Sequence, residues 1–356
     1  MKKFLFLILA FLLLPAFAEE TNILPSQTGI VESIQYVDLE DNVTQTKQVI
    51  QVKLLSGDFK GETIELDNML TGNPYYDIKL KKNTKVILHA EDNGNGVEFS
   101  IEDIKRSGNL IWLSLIFCSL LIYVGRKKGL YSLISIGLTV LLITNVLSPL
   151  VLFGINPAAA TIMICIASTA ITMYLVGGFN AKSTSAIIGA VLSLAFAGIL
   201  SFLTMNTAHL TGFNSENSMF LYSAHPELDF VHIAISTMIL ATLGAVMDVA
   251  MSIASTINEI YEVDNTKSVK ELFKSGMNVG RDIIGTMANT LILVYLGGSL
   301  PLVLLAENID LQKFINLNQV VTEIASALIG SIAIVICVPF TAIAASEMIK
   351  NFHKRN

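Results

Sequence analysis

After Asn109 the chain becomes a succession of apolar runs, and no other feature restricts its fold as much. They cover roughly residues 110–124, 130–147, 158–175, 184–204, 231–255, 283–306 and 322–349. A helix needs ~20 residues to cross the hydrocarbon core, and most runs approach or exceed that. The first is short and gains length if Trp112 sits at the interface. Only helices or closed barrels satisfy their backbone groups inside a bilayer, and continuous apolar runs mean helices. The expected architecture is therefore a membrane all-α bundle of about seven transmembrane helices over residues 108–356, in direct contact with the lipid bilayer. Composition agrees: 53% of residues are hydrophobic and only 15% charged, against roughly 25% charged in soluble domains. A net charge of −6 gives no basic footprint for nucleic acid.

The distribution of Lys and Arg tests this helix count independently. With the start of the bundle outside, the inner segments hold Arg126, Lys127, Lys128, Lys182, Lys267, Lys270, Lys274, Arg281, Lys350, Lys354 and Arg355. The outer connections hold only Lys313. This places the protein in the cell membrane as a multi-pass chain, with its N-terminal domain outside the cytoplasm.

The first residues read as an export signal, taken as 1–18. Lys2 and Lys3 precede a short apolar core, and Ala16-Phe17-Ala18 forms a small-x-small cleavage site. An uncleaved anchor is the alternative. Residues 19–107 then form an extracytoplasmic β-domain. Ile50, Val52 and Leu54 alternate with Gln51 and Lys53, Ile64 and Leu66 repeat the pattern, and Val86 and Leu88 do so again. Short strands at this spacing suggest a small barrel or sandwich, OB-like. No His/Cys cluster, phosphate loop or nucleophile motif lies in it, and His89 is a strand side chain. Cys118, Cys165 and Cys337 lie in apolar runs without pairing or zinc spacing. No cofactor or metal site is expected, and no enzymatic activity.

Two connections are longer than turns. Residues 206–230 contain His209, Glu216, His225, Glu227 and Asp229, which read as a solvated loop rather than a metal site. The other contains Ser268 and Glu271, a capping box. Val269, Leu272, Phe273 and Met277 follow at helical spacing and suggest a short helix lying on the inner surface.

The chemistry concentrates in the fifth and sixth runs. Gly244, Asp248, Ser252 and Ser255 recur at intervals of four, four and three, on one stripe of a helix. Asp282, Gly285, Thr286 and Asn289 make a matching stripe beside Arg281. A charged Asp at the centre of a membrane helix costs about 2.5–3.5 kcal/mol on insertion scales, so it marks a functional site by default. If the two helices pack antiparallel, pairing Ser255 with Asp282 sets Ser252 opposite Gly285 and Asp248 opposite Asn289. Gly244 and Gly285, with Gly297 and Gly298 further along, would let the helices approach closely. The plainer account makes Asp248 interhelical glue, hydrogen-bonded to Asn289 and Ser252 or paired with Arg281.

These same residues carry a resemblance. The segment Leu243-Gly-Ala-Val-Met-Asp248-Val-Ala-Met-Ser-Ile-Ala-Ser255 resembles a signature of the YibE/F family of bacterial membrane proteins. Gly280-Arg-Asp282-Ile-Ile-Gly-Thr-Met-Ala-Asn289-Thr, continuing to Gly297-Gly-Ser-Leu-Pro301, resembles a second, and Gly178-Phe-Asn-Ala-Lys-Ser183 a shorter third. In the third, Ala181 stands where a basic residue is expected. The resemblance implies a multi-spanning membrane protein and brings no biochemical activity with it.

From the residues, the leading expectation is a transporter or permease for an ion or small solute. Asp248, Asn289, Ser252, Ser255, Asp282 and Arg281 would form its binding site. The alternative is a non-transporting sensor or assembly factor whose β-domain binds an envelope protein. An aspartyl protease would need Asp248 and Asp282 to share a proton at about 3 Å. The expected register separates them by ~10 Å of helical rise.

Overall fold

The computed structural model describes residues 26–38, 46–92 and 97–353. The expected signal segment, residues 93–96, and Lys354 and Arg355 lie outside the described residues. The chain divides into two compact units that part between Leu120 and Leu121.

The first unit is built on five strands: β1 (Gln27–Asp38), β2 (Thr46–Leu54), β3 (Thr63–Leu70), β4 (Lys85–Asp92) and β5 (Val97–Ile104). They form one antiparallel sheet in the order β3-β2-β1-β4-β5. The edge strands β3 and β5 approach each other, so the sheet is nearly closed, as in a partly open five-stranded barrel of the OB kind. The period-two pattern sets its interior: Val31, Ile50, Val52, Leu54, Leu80, Val86 and Leu88 form the core. Gly29 is required on β1, because a Cβ there would run into Val52 on the neighbouring strand β2. The one buried polar side chain of β2, Gln48, is fully engaged by Tyr36, Asn68 and the backbone of Leu80.

The helical unit contains α1 (Ser107–Leu152), α2 (Pro157–Gly177), α3 (Ala181–Thr207), α4 (Glu216–Ala224), α5 (Phe230–Val263), α6 (Val269–Gly298), α7 (Leu300–Leu305), α8 (Leu311–Phe314) and α9 (Asn318–His353); the first turns of α1 fall with the β unit. Six of these are long and apolar enough to span a bilayer. The longest, α1, takes in the first two expected helices. Arg126 breaks it, with φ 49° and ψ −128°. A Cβ on Gly129 would collide with the carbonyl of Leu121, so the chain doubles back sharply at the Arg126-Lys127-Lys128 turn.

At the centre of the bundle α9 packs on α3, α5 and α6. Much of its buried face is small residues, among them Ala333, Cys337, Thr341, Ala342 and Ala345. Small faces let membrane helices approach through van der Waals contact, since lipid tails are as apolar as the core. The glycines at these contacts are Gly189 against Thr341, Gly280 against Val338, and Gly330 against Leu291 and Thr242.

Two expectations for the sixth run are corrected. The capping box forms as read, with Ser268 bonded to the N–H of Glu271 and Glu271 back to that of Ser268. It opens α6 itself rather than a separate surface helix. Leu272 and Gly276 are buried in the bundle, so the amphipathic start continues straight into the span. At the other end α6 stops at Gly298, short of the expected 306, and α7 follows.

Candidate functional site

The antiparallel pair α5 and α6 carries both polar stripes, and the structure determines which way each faces. Between Phe230 and Ile257, α5 leaves only Thr237, Ala241, Gly244, Asp248 and Ser252 exposed, at spacings of four, three, four and four. Ser255 lies on the same stripe, half-buried. Every other face of this stretch packs against protein, through residues such as Ile239, Val246, Val249, Ala250 and Ile253. The exposed face of α6 holds Asn278, Arg281, Asp282, Gly285, Thr286, Asn289 and Thr290 before turning apolar at Ile292.

The contrast with α9 is sharp. Its exposed stripe is Ile324, Leu328, Ile332, Val335 and Ile343, the side chains expected against lipid tails. In the membrane-spanning part of α5 that stripe holds no large apolar residue at all. Sequence reading found the stripe from Gly244 to Ser255 but missed its extension to Thr237 and Ala241. The same four-residue spacing was the available signal.

The register between the helices differs from the expected one. A Cβ on Gly276 would lie 2.6 Å from Ile257 Cδ1, and a Cβ on Gly330 would touch both Leu291 (2.5 Å) and Thr242 (3.0 Å). Counting from either contact sets Asp248 level with Gly285 and Ser252 level with Arg281, one helical turn from the expected pairing. Asn289 then lies about 6 Å along the axis from the level of Asp248. Helical side chains lean toward the N-terminus, and in this antiparallel pair that tilts Asp248 and Asn289 toward a common depth.

Among the described residues, the site residues are not paired with one another. Arg281 donates to Asn278 Oδ1 at 3.1 Å, and among the described residues none of the ion pairs includes Asp248, Asp282 or Arg281. Asp248 and Asn289 make no hydrogen bond to each other or to Ser252, so the glue account fails inside a single chain. Asp248 and Asp282 likewise form no dyad. The corrected register narrows their axial separation to about 4.5 Å, so the missing contact now carries that conclusion. The expected packing glycines are not packed either: a Cβ on Gly244, Gly285, Gly297 or Gly298 would meet nothing within 4 Å. Among the described residues, no Asp, Glu, Lys, Arg or His is fully buried.

Asp229 caps α5 by accepting from the N–H of His232 at 3.0 Å, and His232 Nδ1 lies 2.6 Å from its other oxygen. Burial pushes the Asp229 carboxyl up, but these bonds outweigh it and hold it below the usual carboxylate value. His225 pairs with Glu227 at 3.2 Å. These pairs stay separate, and among the described residues no three His, Cys, Asp or Glu side chains group as a metal site.

Residues 113–351, which include both stripes, match the family described as YibE/F-like protein. The chain belongs to the YibE/F family. Residues 27–104, the barrel, match the YibE/F family N-terminal domain. No curated protein and no solved structure matches the chain. Membership with six apolar spans makes this YibE/F chain a multi-pass membrane protein.

Proposed function

We propose that this YibE/F protein is a permease for a cation or a small cationic solute, with its site on the polar face of α5 and α6. One observation carries the reading: the exposed stripe of α5 is Thr237, Ala241, Gly244, Asp248 and Ser252, with no large apolar side chain. A charged Asp at membrane depth costs about 2.5–3.5 kcal/mol unless water, an ion or protein compensates it. Asp248, the Asn289 amide and the hydroxyls of Ser252 and Thr286 are hard oxygen donors of the kind that bind cations or relay protons. Asp282, Arg281 and Ser255 continue the face toward the end of the bundle that carries Lys267 and Lys274. On the positive-inside rule that end is cytoplasmic, and the barrel lies outside the cell membrane. No catalytic role is assigned to any residue.

The test is flux in liposomes containing only this protein, across a panel of cations with a pH-sensitive dye alongside. Asp248→Asn keeps the size but removes the charge and the titration, so it abolishes flux while apparent stability holds. Asp248→Asn with flux unchanged would refute the site.

A second reading has its own observation. On the barrel Tyr36, Tyr75 and Tyr76 are 64%, 69% and 71% exposed. Exposed aromatics are enriched at protein interfaces, which suits an envelope sensor or assembly factor. Absent flux, together with capture of an envelope protein that is lost on Tyr75→Ser and Tyr76→Ser substitution, would favour it.

A further inference from the structure

We infer that a second copy of this chain covers the polar face of α5 and α6, so that the site around Asp248 is completed between two copies. The inference takes from the permease reading only its use of Asp248; the argument for the partner stands on geometry and charge.

Lipid is a poor neighbour for this face. Between Ile324 and Ile343 the exposed stripe of α9 shows what the same chain places against lipid, and it is entirely Ile, Leu and Val. The polar stripe cannot turn inward instead, because the opposite faces of α5 and α6 are packed against α2, α3 and α9. Protein of matching polarity is what remains to cover it.

The face complements itself. All copies insert in one orientation, so a two-fold axis along the membrane normal keeps every residue at its own depth in both copies. Arg281 and Asp282 are neighbours on the exposed face of α6, opposite in charge, and neither has an ion pair among the described residues. Set about a two-fold that passes beside α6, Arg281 of each copy meets Asp282 of the other, and two reciprocal pairs form at once. A ring of copies would instead set the α6 face against the next copy's α5, placing Arg281 against Ser252 and leaving both charges unmatched. Gly244 and Gly285, open within one chain, supply the close backbone approach typical of small-residue membrane contacts. The two reciprocal pairs consume Arg281 and Asp282. One carboxylate per copy is left over, Asp248, one turn deeper, beside the Ser252 of its own copy and facing the α6 helices that carry Asn289.

The test uses the full chain in lipid nanodiscs, with Cys118→Ala to remove the one cysteine that is not buried. Native mass measurement should show two copies per disc. With an oxidant, Gly285→Cys should shift most of the protein to twice its mass on a denaturing gel, and Ile332→Cys should not. Arg281→Asp and Asp282→Arg should each convert the dimer to single copies, and the double exchange should restore it. Single copies in the discs would overturn the inference. So would cross-linking through Ile332 in place of Gly285, cross-linking only to a different protein, or a double exchange that fails to rescue. Asp248→Asn should remain dimeric while losing flux. A dimer without flux in the unaltered chain therefore sinks the permease reading and leaves this inference standing.

Discussion

Substituting Gly280 by Ala isolates the packing of α6 on α9. Gly280 is buried, and a Cβ there would meet all three outer carbons of the Val338 side chain: Cβ and Cγ2 at 3.3 Å, and Cγ1 closer still. Val338 is itself fully buried, and a β-branched side chain on a helix has one strongly preferred rotamer. Rotation gives no free escape, because it takes Val338 out of that preferred rotamer. The helices must separate instead, and overpacking of this kind costs about 1–3 kcal/mol. Replacing any mid-helix glycine by alanine also gains about 1 kcal/mol of helix propensity, so a control is needed. Gly137, on the exposed face of α1, provides it, since a Cβ there meets nothing within 4 Å. The difference between Gly280→Ala and Gly137→Ala cancels propensity and leaves the packing cost. At about 2–4 °C per kcal/mol for 150–250 residues, the apparent Tm values should differ by roughly 2–12 °C, with Gly280→Ala the lower. Thermal unfolding in detergent, followed by intrinsic fluorescence at one fixed scan rate, measures it. Equal values for the two variants would refute the tight α6–α9 contact.

Three further outcomes are expected. In intact cells a cysteine at Glu307 should react with a membrane-impermeant thiol reagent and one at Asn265 should not; the reverse would invert the topology. Residues 19–106 expressed alone with a secretion signal should fold, because the barrel has its own core, and a helical or random circular dichroism spectrum would count against it. In that domain the Arg106 guanidinium, 2.6 Å from Asp103, and the N–H of Ile104 hold the Asp103 carboxyl below its usual 3.8. Its contribution to stability is thus fully present above pH 3.8 and lost as pH falls through the lowered value. Asp103→Asn should flatten this acid limb of the melting profile, and an unchanged limb would remove the assignment.

Much of the architecture was legible before any coordinates. Run length gave the spans, period-two alternation gave Ile50, Val52 and Leu54 as barrel core, and Ser268 with Glu271 marked the start of a helix. These signals are local, arising from backbone geometry and from hydrogen bonds a few residues apart. The polar stripe of α5 was also visible, since Gly244, Asp248 and Ser252 share a face of any α-helix. The direction of that face was not. Periodicity relates residues on one helix to each other and does not say how the helix is rotated against its neighbours. In water an apolar stripe points to the core, but in a membrane core and lipid are equally apolar, so that pointer is lost. Tertiary packing alone turned Asp248 and Gly285 outward and shifted the α5–α6 register by one turn. It also gave the packing role to Gly276, Gly280 and Gly330, because those glycines, and not the ones in the stripes, lie where Ile257, Val338 and Leu291 come closest.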